Sequence, residues 1–203
     1  MKIFITGIDT NIGKTVVSAI VAKALKYDYW KPIQCGDLKN SDTQTVKTLT
    51  GGLYHYHKEA FRLKEPASPH LSAKLEGVEI TLNDFKLPVK EKLLIEGTVG
   101  LMVPINDEGE CLIDVAKHLD AKVILVSKNY LGSINHTLMS CHMLNTYGLQ
   151  TLGIIINGDA NEESEKIITE ISGVPILGHV DTTKRLNRKF IDAQAKKFEN
   201  ILG

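Results

Sequence analysis

Residues 4–17 read FITGIDTNIGKTVV. A short apolar run breaks at Gly7, a polar stretch follows, and Gly13-Lys14-Thr15 leads into an apolar pattern with helical spacing. Strand, glycine loop and helix in that order make a phosphate-binding loop. Glycine lets the backbone approach an anion, successive N–H groups point at its oxygens, and the helix N-terminus adds positive potential. Lys14 then neutralises terminal phosphate charge and Thr15 offers a hydroxyl to magnesium. The strict motif places a glycine at position 8, where this chain has Ile8; Gly7 stands one place early. On spacing alone, a plain lysine-containing helix start stays open beside the phosphate loop.

The rest of the chain repeats the alternation of strand and helix. Ile3 to Thr6 precedes a helix from Lys14 to Leu25, and LLIEG at Leu93 precedes LIDVAKHL. KVILVS at Lys122 precedes INHTLMSCHML, TLGIIIN at Thr151 precedes EESEKIITEIS, and VPILGHV at Val174 leads to a last helix reaching Phe198. Continuous apolar strands separated by helices predict a parallel sheet covered on both faces. No repeat or Gly/Pro/Ser-rich linker interrupts residues 1–203, so a single α/β domain is expected, with an irregular insertion at Gly51 to Pro88. Ligands of such sheets sit beyond the carboxyl ends of the strands.

Composition narrows the function classes. The 203 residues carry 24 basic and 24 acidic side chains, so no net field draws nucleic acid or an anionic membrane surface. No apolar run reaches membrane-spanning length, and the apolar start after Lys2 runs too soon into Gly and Asp to read as a secretory signal. Cys35, Cys111 and Cys141 are widely spaced and lack C-x-x-C pairing, which disfavours disulfides and zinc and fits a reduced cytoplasm.

Other residues stand where a ligand would meet them. Lys31, held extended by Pro32, leaves a strand on the ligand side, where it reads either as a partner for an anion or as a plain solvated lysine. Ser41 and Gln44 have the spacing of a capping box, with Asp42 as a first-turn acid favoured by the helix dipole. Glu96 closes the apolar run LLI, and a carboxylate there is costly unless it has a partner such as magnesium.

Taken in order, GIDTNIGKT, KPIQCG, NSD, EPASPH, IEGTVG, LGSINH and IIIN resemble the dethiobiotin synthetase family over nearly the whole chain. The family's loop also sets its glycine one place early. The resemblance implies a P-loop NTPase-like fold and a ligase that joins carbon dioxide to 7,8-diaminononanoate, with ATP as cosubstrate and magnesium as cofactor. It implies catalytic roles for Thr10, Lys14 and Lys31, and nucleotide binding by Asn11, Ile12, Gly13, Lys14, Thr15 and Val16, with Asn157 at the base. Thr15, Asp42 and Glu96 would form the magnesium set, an oxygen-only group suited to a hard cation. Cys35, Leu131, Gly132, Ser133 and Asn135 would bind substrate, the last four from the partner subunit of a homodimer.

Three departures qualify the match. Cys35 stands where the family has a hydroxyl, Val99 replaces a glycine, and Asp181 occupies a proline position near the base site. If position 99 needs a positive φ, valine is strained there and the loop is expected to take another path. Asp181 leads to an expectation of weak discrimination among nucleoside triphosphates. The alternative activity is a regulatory nucleotide switch of the partitioning-ATPase type, whose loop carries a second lysine that residues 7–12 lack. Amide-forming synthetases of cobalamin synthesis add a glutaminase domain, for which 203 residues leave no room.

Overall fold

The computed structural model describes residues 1–52, 54–88 and 91–201. The apolar runs become the strands β1 (Lys2–Gly7), β6 (Leu93–Gly100), β7 (Lys122–Ser127), β8 (Thr151–Asn157) and β9 (Ile176–Val180). With β2 (Asp28–Trp30) and β4 (Tyr56–His57) they form a seven-stranded sheet in the order β4-β2-β6-β1-β7-β8-β9, every pairing parallel. A second small sheet pairs β3 (Ile33–Cys35) with β5 (Phe61–Leu63).

Helices α1 (Lys14–Leu25), α2 (Asp42–Thr50) and α7 (Arg188–Lys197) pack together on one face. That face buries Ile3, Ile5, Leu94, Ile124, Val126 and Ile155 against Val17, Ile20 and Ile191. Alternate residues of the same strands point the other way. Phe4, Leu93, Ile95 and Val123 pack on α4 (Leu112–His118), while Leu125, Ile154 and Ile156 pack with α5 (Ser133–Thr146) and α6 (Glu162–Ser172). The continuous apolar runs are thus strands buried on both faces, as their composition predicts.

The segment from Gly51 to Pro88 is less irregular than expected; its Leu53 lies outside the described residues. It supplies the sheet's edge strand β4, the strand β5 and a short helix α3 (Pro69–Leu75). Tyr56 and His57 are only half-buried, so an edge strand of this length leaves no apolar run to read. The expected Ser41 cap is formed, its Oγ accepting from the Gln44 N–H at 3.3 Å. No helix among the described residues is long and apolar enough to cross a membrane.

Candidate active site

The loop after β1 is held in shape from both ends. Gly13 has φ 91°, and a Cβ built on it would lie 2.1 Å from Asn157 Nδ2, so position 13 requires glycine both in conformation and in space. Asn157, at the end of β8, donates that Nδ2 to the Ile12 carbonyl at 2.7 Å. Lys14 folds back to donate to the Asp9 carbonyl at 2.8 Å, and the Thr10 N–H reaches Asp9 Oδ1 at 2.6 Å. Burial pushes the Lys14 ammonium down to about 8, against the attraction of Glu96. A cation of that kind gains most when an anion arrives beside it. Ile12 is buried and Val16 packs against the α1 face, so these two offer a ligand their backbone rather than their side chains.

Below the loop lies a cluster of charge in a nearly solvent-free setting. Glu96, in β6, is 1% exposed. Its Oε1 accepts from Thr15 Oγ1 at 2.8 Å and from Lys31 Nζ at 3.3 Å, and its Oε2 accepts from the Tyr29 hydroxyl at 2.8 Å. Lys31 Nζ also lies 2.5 Å from Asp42 Oδ2. Burial alone would lower the Lys31 ammonium, yet Glu96 and Asp42 together outweigh it and raise it above its ordinary value. Asp42 is therefore an ion-pair partner of the cluster as well as a first-turn acid. Burial and the neighbouring Glu96 charge push the Tyr29 phenol well above its usual range, so it remains a donor.

A cleft of about 860 Å³ gathers most of the predicted residues. Thr10, Asn11, Gly13, Lys14 and Thr15 line it from the loop, and Lys31, Cys35, Asp42 and Glu96 from the strands and helix beyond. Thr15, Asp42 and Glu96 offer only oxygen to this space, the donor set a magnesium ion prefers, so the residues present fit that ion. Burial raises the Cys35 thiol, which faces the cleft as a neutral group.

Leu131, Gly132, Ser133 and Asn135 do not line this cleft. They lie at and just before the start of α5, with Leu131 103% exposed and Gly132 at φ 99°. The Ser133 N–H is not free for a ligand, since it donates to the Tyr130 carbonyl at 3.0 Å in a tight turn.

Val99 also departs from expectation. It lines the cleft at φ 64°, so the chain accepts the left-handed conformation instead of taking another path. For a β-branched residue that costs on the order of 1–3 kcal/mol. The adjoining Thr98 helps hold the segment, its hydroxyl donating to the Ile33 carbonyl at 2.6 Å.

Sequence reading missed Tyr29 and Gln34. Gln34 accepts from the Asp42 N–H at 3.1 Å and donates to the Gly36 carbonyl at 3.0 Å, which fixes the start of α2. In the sequence Tyr29 looks like any strand aromatic; the signal was its parity, two residues before Lys31.

At the far end of the sheet, Asp181 is held by Gln194 Nε2 at 2.8 Å and Lys197 Nζ at 2.6 Å. Glu165 accepts from the Asn161 N–H at 2.9 Å and Asn129 Nδ2 at 3.2 Å, and lies 2.8 Å from His179 Nε2.

A family model described as an AAA domain matches residues 1–189. An ATP-dependent dethiobiotin synthetase of Christiangramia forsetii is 45% identical over 98% of this chain and 96% of its own length. One of Cytophaga hutchinsonii is 45% identical over 98% of each chain, and one of Chlamydia pneumoniae is 38% identical over 98% of this chain and 90% of its own. Among solved structures, a ParA family ATPase from Chlorobium tepidum superposes with TM-score 0.57 at 13% identity, over 98% of this chain and 91% of that one. The septum site-determining protein MinD from Pyrococcus horikoshii, complexed with Mg-ADP, gives 0.55 at 17% identity over 100% and 98%. These two likenesses describe the fold alone.

Proposed function

The chain belongs to the ATP-dependent dethiobiotin synthetase family, ligases of biotin biosynthesis, and from that premise we propose that it closes the urea ring of dethiobiotin in the cleft beneath Lys14. Its substrates are 7,8-diaminononanoate, carbon dioxide and ATP. One amine adds carbon dioxide to form a carbamate. A carbamate oxygen then takes the γ-phosphoryl group of ATP, and the second amine attacks the carbamoyl carbon, releasing phosphate and leaving the cyclic urea.

The observation that supports this reading is the meeting of Lys14, Thr15, Lys31, Asp42 and Glu96 in one cleft. Phosphoryl transfer asks for positioning and charge neutralisation rather than covalent help from the protein. Lys14 lies where a β- or γ-phosphate would meet the loop, and Lys31 is the cation on the opposite wall, suited to hold the carbamate and the γ-phosphate together. Thr15, Asp42 and Glu96 would hold magnesium, which when bound neutralises the phosphate oxygens. The Asn157 side-chain oxygen is suited to the base amino group, while its nitrogen stays on Ile12.

Residues 131–135 would hold the substrate carboxylate for the partner of a homodimer, using the Gly132 N–H and the α5 dipole. The absence of these residues from the chain's own cleft supports that arrangement. A cytoplasmic setting suits the free thiols Cys35, Cys111 and Cys141. The partitioning-type switch is not favoured, since residues 7–12 lack its second lysine.

The test is direct. Incubation with ATP, magnesium, bicarbonate and 7,8-diaminononanoate is expected to yield dethiobiotin by mass spectrometry, and failure of the folded protein to form it would refute the reading.

A further inference from the structure

The two oxygens of the Glu96 carboxylate face different surroundings. Oε1 meets Thr15 and Lys31, which line the cleft, whereas Oε2 meets the hydroxyl of Tyr29, which is 0% exposed and lines none of it. Tyr29 therefore cannot touch a bound substrate. The sheet explains how it reaches Glu96. Tyr29 in β2 stands opposite Leu94 in β6, and Glu96 is the next residue on that face, a diagonal neighbour within reach of a long side chain. The tyrosine ring is itself fixed, packed 6.3 Å from the Tyr56 ring, whose hydroxyl is bonded to Thr50 Oγ1. The Tyr29 N–H is tied to the His55 carbonyl at 2.9 Å.

We propose that Tyr29 is a positioning residue whose hydroxyl, by holding Oε2, sets the plane of the Glu96 carboxylate so that Oε1 faces the magnesium of the bound nucleotide. The inference rests on the reading of Glu96 as a magnesium ligand. A hydrogen bond on Oε2 restrains the carboxylate about its last torsion, beside the bonds from Thr15 and Lys31 to Oε1. The carboxylate meets the ion with less of that freedom to lose, and groups that orient metal ligands in this way are commonly worth 10- to 100-fold in metal affinity. Were the hydroxyl present only to satisfy a buried oxygen, its loss would cost stability and leave the metal unaffected.

The experiment measures Mn²⁺ binding by the full chain with a non-hydrolysable ATP analogue, read by the electron-paramagnetic signal of free Mn²⁺. Thermal melting and the magnesium dependence of turnover are measured alongside. Tyr29→Phe is expected to weaken Mn²⁺ by about tenfold and to raise the half-saturating magnesium by a similar factor, with kcat at saturating magnesium and KM for the diamine within about threefold of the parent. In a Glu96→Gln background the same change should have no further effect on Mn²⁺. Mn²⁺ affinity within twofold of the parent in Tyr29→Phe, or an equal loss in both backgrounds, would overturn the proposal. If Glu96→Gln alone binds Mn²⁺ as tightly as the parent, the metal reading itself fails and takes this inference with it. A loss in Glu96→Gln without one in Tyr29→Phe refutes Tyr29 only. Should Tyr29→Phe not fold, fluorotyrosine at position 29 keeps the shape and changes only the acidity of the hydroxyl. A shifted Mn²⁺ affinity then supports the proposal and an unshifted one overturns it.

Discussion

Glu96 in β6 and Glu165 in α6 are both buried carboxylates near the ligand edge of the sheet, and they keep different company. Glu96 is met by two hydroxyls and the Lys31 ammonium, and Thr15 and Lys31 also face the cleft. Glu165 is met by a backbone N–H, an amide and an imidazole, and these join the start of α6 to β9 and to the segment after β7. Burying a charge is costly in either place, and each site repays it with hydrogen bonds. Thr15 and Lys31 line the cleft, whereas Asn129, Asn161 and His179 do not. A buried carboxylate is therefore a candidate for ligand chemistry when its partners line a cleft, and reads as a structural tie when they do not.

Removing a lysine at the first site should have the largest effect. Lys14→Ala and Lys31→Ala are each expected to lower kcat by at least about 10²-fold, because phosphate or carbamate charge is left unmatched in the transition state. Glu165→Gln should leave kcat within a few-fold. Near-parental turnover in Lys31→Ala, in phosphate-release assays with circular dichroism confirming the fold, would break the contrast.

The next effect tests whether the reactive end is completed by a second chain. Gly132→Asp places charge and bulk at the start of α5, and Lys14→Ala disables the loop, so each variant alone should be inactive. Co-folding them at equal amounts makes half the dimers mixed, each with one intact site, and about a quarter of parental activity should return if the sites are shared. No recovery in verified mixed dimers would place the site within one chain.

Much of this division was legible in the sequence. The apolar runs of β7 and β8, the largely apolar α1 and the periodic pattern of α6 appear at the predicted residues, because strands buried on both faces, a helix buried along its length and an amphipathic helix each leave a strong signal. The loop and the carboxylate at position 96 stood out by residue type and place, while Lys31 and Asp42 took ligand roles only from the family resemblance, and what joins the four was not legible. The Lys31 pairs to Asp42 and Glu96 and the bond from Tyr29 cross between elements distant in the chain, and no local pattern encodes them. The positive φ of Val99 and the Ser133 N–H turned onto Tyr130 were hidden for a different reason. Both are backbone conformations imposed by tertiary context over local preference.

Smaller effects belong to the far end. Asp181 is engaged by Gln194 and Lys197, and if phosphate and magnesium contacts, shared by all triphosphates, carry nucleotide binding, the base contributes little. The kcat/KM values for ATP, GTP and CTP should lie within about tenfold, or 1.4 kcal/mol. A preference of several orders of magnitude for ATP would show that this end reads the base.

The smallest effect is on stability. Burial would raise the Glu165 carboxyl, but the Asn161 N–H, His179 and Asn129 outweigh it and hold it below the ordinary value of 4.5. A depressed carboxyl contributes stability that is complete above the unfolded value and is lost as pH falls through the folded one. Glu165→Gln should therefore cost about 1 kcal/mol or less near neutrality and should flatten the loss below about pH 4.5, measured from urea midpoints. An unchanged acid limb would mean that the tie contributes nothing.

Phosphate release measured with each substrate omitted in turn tests most directly whether ATP gives its γ-phosphoryl group to a carbamate in the cleft around Glu96. Release should require 7,8-diaminononanoate and dissolved carbon dioxide together, and should match dethiobiotin formed one for one. Vigorous ATP hydrolysis without either substrate would contradict the account.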